Sequence, residues 1–546
     1  MKLKVSYYFG ILIAVAVIIS ACEPTPGPQP LSPQVTLQET ATQAAPVGTP
    51  TVSVQEQKVF TYADIVPYPD IDPRSSFSDD NRICANVYEP LVWFNPPGSA
   101  EALSPGLATS WESNPETTEW TFYLRKGVIF HDGTPFNAEA VKTAIEKTIE
   151  LGQGAAFIWW MVEEIEVVDD YTVRFRLSAP APLDLIASSG YAAWIFSPSV
   201  ADKPNEWFNE GHDGGTGPYT IESYEPGSRV VLSRFDEYWG GWRDNQYDKV
   251  VFLVVEDAAT RIQMINAGEA DFTWSIPYEN LPVLEANPDL VVRLAPSFMN
   301  TFIRMNNAKP PLDNVLVRKA LAYSFPYEAV IQQAFSGYMT QAHGPIPAGI
   351  LGHSDELFQY SYNLDRAREL LAEAGYPDGG FKLHMSTFAG NESVVHTGEI
   401  WKAELAKLGI ETSFDVLTWT AHWELSKSDP ETAPHMGIWW WWPTYVTAYD
   451  WFFNLYHCED EIVFNVDNYC NPEFDALIDK AATLEGADPA AAEAMYIKAQ
   501  EILIDESVDI FIGDMQHITV IRSGIQGYVD NPGYPNVVFA YQLSKQ

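Results

Sequence analysis

The sequence predicts a mixed α/β fold in two or three lobes, and three observations carry that expectation. About 490 residues follow a polar N-terminal stretch, too many for one core, since single cores stop growing near about 250–300 residues. Runs rich in β-branched and aromatic residues (Tyr171–Leu177, Arg229–Phe235, Val250–Val255) are interleaved with segments of helical periodicity. They do not follow a regular βαβ pattern, and no internal repeat is visible.

Taken from the N-terminus, Lys2 and Lys4 precede an apolar run from Phe9 to Ile19 that ends in Ile19-Ser20-Ala21-Cys22. A basic start, a short apolar stretch and small residues form an export signal, and the run is too short for a comfortable membrane span. Residues 1–22 are therefore read as a signal peptide. A branched aliphatic, two small residues and Cys also resemble a bacterial lipobox, which makes Cys22 the expected lipid anchor. Residues 23–58 carry seven prolines among Thr, Gln, Ser and Ala and no aromatic residue before Lys58, a composition that cannot bury enough surface to offset chain entropy. This stretch is expected to be a disordered tether.

Three helices announce themselves by their ends. Asn137 caps one that buries Val141, Ala144, Ile145, Thr148 and Ile149 before Gly152 stops it. Asn363 caps a second, with Leu364, Ala367, Leu370, Leu371 and Ala374 on one face and Gly375 after it. Asp488 and Pro489 open a third that runs to about Ile504.

Formal charge is −41, or about −43 once Lys2 and Lys4 leave with the signal, so nucleic acid and anionic lipid are disfavoured as partners. Cys458 and Cys470, twelve positions apart in an exported chain, are read as a disulfide, and Cys84 as a buried thiol. The scattered histidines and the lack of Cys-x-x-Cys or His-x-x-x-His give no metal site, and no cofactor is expected. His131-Asp132-Gly133 is read as a turn and not an acid–base pair, because neighbours on a hairpin point apart. No nucleotide motif is present: Gly214-Gly215-Thr216-Gly217 runs into Pro218, which lacks the amide a phosphate cradle would use.

Five blocks then occur in order. Residues 105–142 read PGLATSWESNPETTEWTFYLRKGVIFHDGTPFNAEAVK, and residues 215–241 read GTGPYTIESYEPGSRVVLSRFDEYWGG. RIQMINAGEAD at 261–271, FIRMNNAKPPLDNVLVRKALAYSF at 302–325 and YSYNLDRARELLAEAGYPDGG at 360–380 follow. Together they resemble the family 5 extracellular solute-binding proteins, the oligopeptide, dipeptide and nickel receptors of ABC importers. The resemblance implies a type II (cluster C) periplasmic-binding-protein-like fold, with two lobes, a hinge and an extra subdomain on the first lobe. It places lobe I at 59–85, 215–298 and 516–546, the extra subdomain at 86–214 and lobe II at 299–515. Hinges are expected near Ser297–Thr301 and Gly513–His517.

Function follows from the same resemblance: a monomeric, non-enzymatic receptor that captures a small solute and hands it to the ABC permease. Its candidate ligand residues are Trp439, Trp441, Thr444, Tyr445, Asp450, Trp419 and Trp274. The run Trp439–Trp442 is the unusual element. In an extended strand Trp439 and Trp441 share one face and Trp440 and Trp442 the other, so at most two rings line one site. Peptide-binding relatives carry a W-x-x-D-Y-like pattern here whose Asp pairs with the ligand ammonium; Trp441-Trp442-Pro443-Thr444-Tyr445 puts Thr444 at that place, with Asp450 as a substitute. The departure weakens a peptide ligand and, with eighteen tryptophans, brings an oligosaccharide nearly level with it. Trp423 is a further possible platform. Nickel or haem ranks third, because His384, His396 and His422 are dispersed. A secreted glycoside hydrolase, which needs two carboxylates across a groove, is a remote rival.

Overall fold

The computed structural model describes residues 57–458 and 462–546. The signal peptide, Cys22 and the tether as far as residue 56 lie outside them. One large sheet organises the chain. Its strands run in the order Glu411–Leu417, Lys382–Phe388, Met436–Trp441, Leu290–Met305, Asp509–Arg522, Phe272–Trp274, Val59–Asp64, Lys249–Val254, Arg229–Arg234 and Tyr219–Glu225, and Met339–Gln341 pairs alongside Asp509–Arg522. A separate antiparallel sheet holds Ala108–Ser113, Glu119–Leu124, Thr172–Leu177 and Val162–Asp169.

Two long strands at the centre of the large sheet carry the connection. Leu290–Met305 pairs antiparallel with Asp509–Arg522 along nearly its whole length. Leu290, Ile518 and Val520 belong to a core with Ala63, Ile265 and Leu284, whereas Ile303, Met305, Ile510 and Ile512 belong to another with Leu321, Trp401 and Ile438. Between these halves the register slips. Ser297–Met299 face only Met515, and a second irregularity lies between Thr301 and Phe302. Pro296 brings no N–H, and side-chain bonds stand in for the ladder: Ser297 Oγ donates to Met515 O at 2.5 Å and accepts from Met299 N at 3.1 Å.

The expected helices form with their caps. Asn137 accepts from Ala140 N at the head of Ala138–Leu151, and Gly152 ends it in the left-handed region at φ 61°. Asn363 caps Leu364–Glu373, and Asp488 caps Pro489–Asp505. One expectation needs correction: Ile149 is 39% exposed. Eight residues beyond Val141 it stands about 80° round the helix, past the edge of the apolar stripe. Cys458 and Cys470 are disulfide-bonded, and Cys84 is a buried free thiol.

His131-Asp132-Gly133 is a turn, with Gly133 N donating to Phe130 O at 2.8 Å and Asp132 accepting from Thr134 N. His131 instead pairs with Asp213, its Nδ1 lying 2.5 Å from Oδ1. Gly215 is required by close approach, since a Cβ there would meet Val87 O at 1.9 Å. Gly215 and Gly217 pack against the backbone of Val87.

A buried ion pair locks the second half of the sheet. Arg304 Nε donates to both oxygens of Asp467 at 2.8 Å, Nη1 to Phe464 O at 2.8 Å and Nη2 to Leu455 O at 3.0 Å. Removing one member of such a pair strands the other charge, so Arg304→Met is expected to lower unfolding free energy by about 3–5 kcal/mol. Urea denaturation checks this, and a loss under about 1 kcal/mol would contradict it.

Candidate functional site

The tryptophan strand Met436–Trp441 pairs with the long strand Leu290–Met305, Trp439 opposite Phe302 and Trp441 opposite Asn300. Alternation divides the rings. Trp439 and Trp441 pack towards the cluster of Phe298, Trp451 and Tyr496, and Trp440 turns to the other face against Phe388 at 4.7 Å. Trp442 lies beyond the strand end and joins the core built on Phe60, Tyr88 and Phe130; its Nε1 donates to Tyr191 Oη at 3.1 Å.

Several rings from distant segments meet here. Trp439 stacks on His422 at 4.0 Å and meets Trp419 and Trp423 edge-on at 5.6 and 5.5 Å. Phe464 joins Trp441 at 5.4 Å and Trp423 at 5.7 Å, and on its other side meets Phe77 and Phe157, each at 6.1 Å. Trp160 stacks on Phe453 at 6.2 Å. The result is an aromatic seam, with Phe77, Phe157, Trp160 and Tyr191 on one side and Trp423, Trp441, Trp442, Phe453 and Phe464 on the other. Trp441 Nε1 is buried in it without a hydrogen-bond partner among the described residues.

The remaining expected residues divide between the seam and its supports. Trp419, first residue of the helix Trp419–Ser426, keeps 43% of its surface open. Thr444 is buried and held through its backbone, its O accepting from Ser189 Oγ at 2.7 Å and its N donating to Asp450 Oδ2 at 2.9 Å. Asp450 lies in the first turn of the helix Ala448–Tyr456 and also accepts from Asn454 Nδ2 at 3.0 Å. Burial pushes its carboxyl up to about 7, against the pull of those donors. Tyr445 is buried in the Phe60–Tyr88 core. Trp274 packs against that core too, with Nε1 donating to Asp64 Oδ1 at 2.7 Å and Arg82 4.7 Å above its ring. Its ring contacts do not include the tryptophans at 419–442.

Phe77, Asp79, Tyr191 and Phe464 were not anticipated. They stand in loops or beside short turns, where no periodicity marks them. Asp79 pairs with the fully buried Arg82, and its side chain keeps 37% of its surface open. Burial pushes the Asp79 carboxyl up and Arg82 opposes the shift.

The seam can stack flat or apolar groups and offer a carboxylate to a cation. Among the described residues a Ser–His contact occurs, His422 Nδ1 lying 3.1 Å from Ser386 Oγ. Both residues are buried, His422 is driven down to about 4 by burial, and its Nε2 has no acid to orient it among the described residues, so the pair lacks the elements of a nucleophile and base.

Comparison with known proteins gives a consistent result. The family model described as bacterial extracellular solute-binding proteins, family 5 Middle, matches residues 102–461. The glutathione-binding protein GsiB of Pectobacterium atrosepticum is 28% identical over 490 residues, covering 88% of this chain and 92% of that one. The probable D,D-dipeptide-binding periplasmic protein DdpA of Escherichia coli is 28% identical over 488 residues, covering 87% and 92%. Among solved structures, the periplasmic binding protein DppA of Helicobacter pylori in complex with the peptide STSA superposes with a TM-score of 0.78 at 25% identity, covering 91% of this chain and all of that one. The fold is thus the type II periplasmic-binding-protein fold, with two lobes.

Asp450 makes stability depend on pH. Its folded pKa of about 7 exceeds an unfolded value of about 3.9, so the folded state holds the extra proton between the two. This contribution is fully present below about pH 4 and is lost as pH rises through about 7. Asp450→Asn removes it, so the stability of wild type relative to the variant is expected to fall by on the order of a few kcal/mol from pH 4 to pH 8. Parallel stability curves for the two proteins would contradict this.

Proposed function

The chain belongs to the bacterial extracellular solute-binding proteins, family 5, and from that premise we propose that it captures a peptide-class solute in the aromatic seam and delivers it to an ABC permease. Family 5 members are extracytoplasmic transport receptors. The observation that carries the reading is the seam itself, where rings gather beside the slip in the two long strands and the partly open Asp79 acts on Tyr191 through its charge.

In this reading lobe I is 59–85, 215–298 and 516–546, its extra subdomain 86–214, and lobe II 299–515. The strands give at Ser297–Thr301 and Gly513–His517, around the slip in register. Closure onto ligand then creates the state that the permease reads, because ligand binds that state more tightly. Asp79 supplies the carboxylate for the ligand ammonium, with Asp450 supporting Thr444 from beneath. Trp441 and Phe464 take the apolar side chains, and Trp419 forms the outer platform. Cys22 holds the receptor to the membrane by lipid. A second reading, an oligosaccharide stacked on Trp419 and Trp441, is favoured by the open face of Trp419.

Titration of the whole chain with short peptides and with cello-, xylo- and malto-oligosaccharides separates the two readings. Peptides are expected to raise the melting temperature, and Asp79→Asn to weaken peptide binding roughly ten- to hundred-fold, the worth of a hydrogen bond to a charged partner. Shifts with sugars alone would reject the peptide, and an unchanged peptide affinity in Asp79→Asn would reject Asp79. Trp441→Ala is expected to reduce affinity while the protein stays folded. Mass spectrometry of the mature N-terminus is expected to find acylated Cys22; an unmodified Cys22 or a cut elsewhere would refute the anchor.

A further inference from the structure

A cavity of about 330 Å³, at the small end of the range for ligand pockets, has none of the seam's rings in its lining. None of its lining residues falls between 299 and 515. Its wall is built from the helix Asn81–Val87 and the strand Val92–Phe94, from the segment around Tyr238, and from residues 529–542 near the C-terminus. Aromatic side chains dominate it: Trp93, Tyr238, Trp239, Tyr534, Phe539 and Tyr541. Trp93 lies edge-on to Tyr534 and Phe539 at 5.6 and 5.4 Å, and Tyr238 edge-on to Tyr541 at 4.9 Å.

The single charged group in the lining is Glu89, and no lysine or arginine contributes to it. Glu89 is 2% exposed and is held by neutral donors: Tyr238 Oη donates to Oε1 at 2.9 Å, and Trp239 Nε1 and Thr216 Oγ1 donate to Oε2 at 2.8 and 2.9 Å. Arg125, whose Nε and Nη2 donate to Gly106 O, lies 4.0 Å from the centroid of Trp239 outside the lining; burial pushes the Glu89 carboxyl up, and the Arg125 charge opposes that shift only in part. A carboxylate enclosed by rings and neutral donors is costly to keep, and a cation beside it offsets that cost. Ring faces are negative, so the same walls attract a cation whose methyl groups also prefer an apolar surround.

We propose that this cavity binds a small organic cation of the alkylated ammonium class, its charge held between the aromatic walls and Glu89. The site is separate from the seam and its occupancy does not require the seam to be filled. The rings provide shape and π-face attraction, and the carboxylate selects charge. An anion is repelled by the Glu89 charge, and a neutral molecule of the same shape lacks the attraction to it.

Isothermal titration of the full chain with choline, tetramethylammonium and 3,3-dimethyl-1-butanol, the neutral isostere of choline, tests the assignment. Both cations are expected to bind at least roughly tenfold more tightly than the alcohol, with that margin lost in Glu89→Gln and choline affinity unchanged in Trp441→Ala. Should Glu89→Gln fail to fold, Trp93→Leu is expected to weaken choline by a similar factor. Equal affinity for choline and the alcohol, no heat from any of the three at millimolar concentration, or choline binding lost in Trp441→Ala would overturn the proposal.

Discussion

The antiparallel pairing of Leu290–Met305 with Asp509–Arg522 is the constraint on which the rest of the structure depends. Each strand is long enough to serve two cores, so the sheet continues from one to the other instead of ending in edges. That continuity fixes where the neighbouring strands can attach: Met436–Trp441 on one side of the pair and Phe272–Trp274 on the other. The cost of sharing is a slip in register where two packing environments meet. At the slip, Ser297 Oγ takes over bonds that a regular ladder would make, and Met339–Gln341 pairs with the partner strand along Met515–Gly513. In the proposed function the slip, lying between two cores, is where the strands bend as the receptor closes on its ligand.

Placement of the tryptophan run follows from this pairing. Register sets Trp439 opposite Phe302 and Trp441 opposite Asn300, and pleating sends neighbouring rings to opposite faces. Four consecutive tryptophans therefore serve three different cores, with Trp442 reaching the core of Tyr88 because the strand has ended. Arg304, on the same strand as Phe302, binds Asp467 and also the carbonyl of Phe464, so the ion pair fixes the loop that carries the central ring of the seam. Stability and site geometry share one anchor.

What could be read from the sequence was local. Asn137, Asn363 and Asp488 mark helix starts because a cap involves only its own first turn, and alternation told which tryptophans share a face. Ile149 was misplaced because apolar character alone does not reveal where a stripe leaves the core. The five blocks identified the family, since ordered motifs over most of a chain carry more information than any single residue. The seam was only half legible. Trp419, Trp439 and Trp441 could be proposed, whereas Phe77, Asp79 and Tyr191 come from segments far away in sequence, and nothing local announces that Phe464 will meet Phe77 or Trp442 will meet Tyr191. Thr444 stood out as a departure from a pattern, and only the fold shows that its amide rests on Asp450.

Charge around the seam bears on the kind of ligand it suits. Arg82 is buried between two acids: its Nη1 lies 2.5 Å from Asp64 Oδ2, and its Nη2 pairs with Asp79. One cation between two carboxylates leaves a negative charge over, and burial disfavours that charge, which is why the Asp79 carboxyl is pushed up even beside a guanidinium. Asp64 is already committed to Trp274, Tyr68 and the Ile65 amide, so the surplus is open to compensation only at Asp79. An ammonium arriving there would neutralise the cluster, whereas a neutral sugar would cover it and deepen its desolvation. The rings of the seam accept either ligand. Under the proposed function the unbalanced carboxylate favours the one that carries a positive charge.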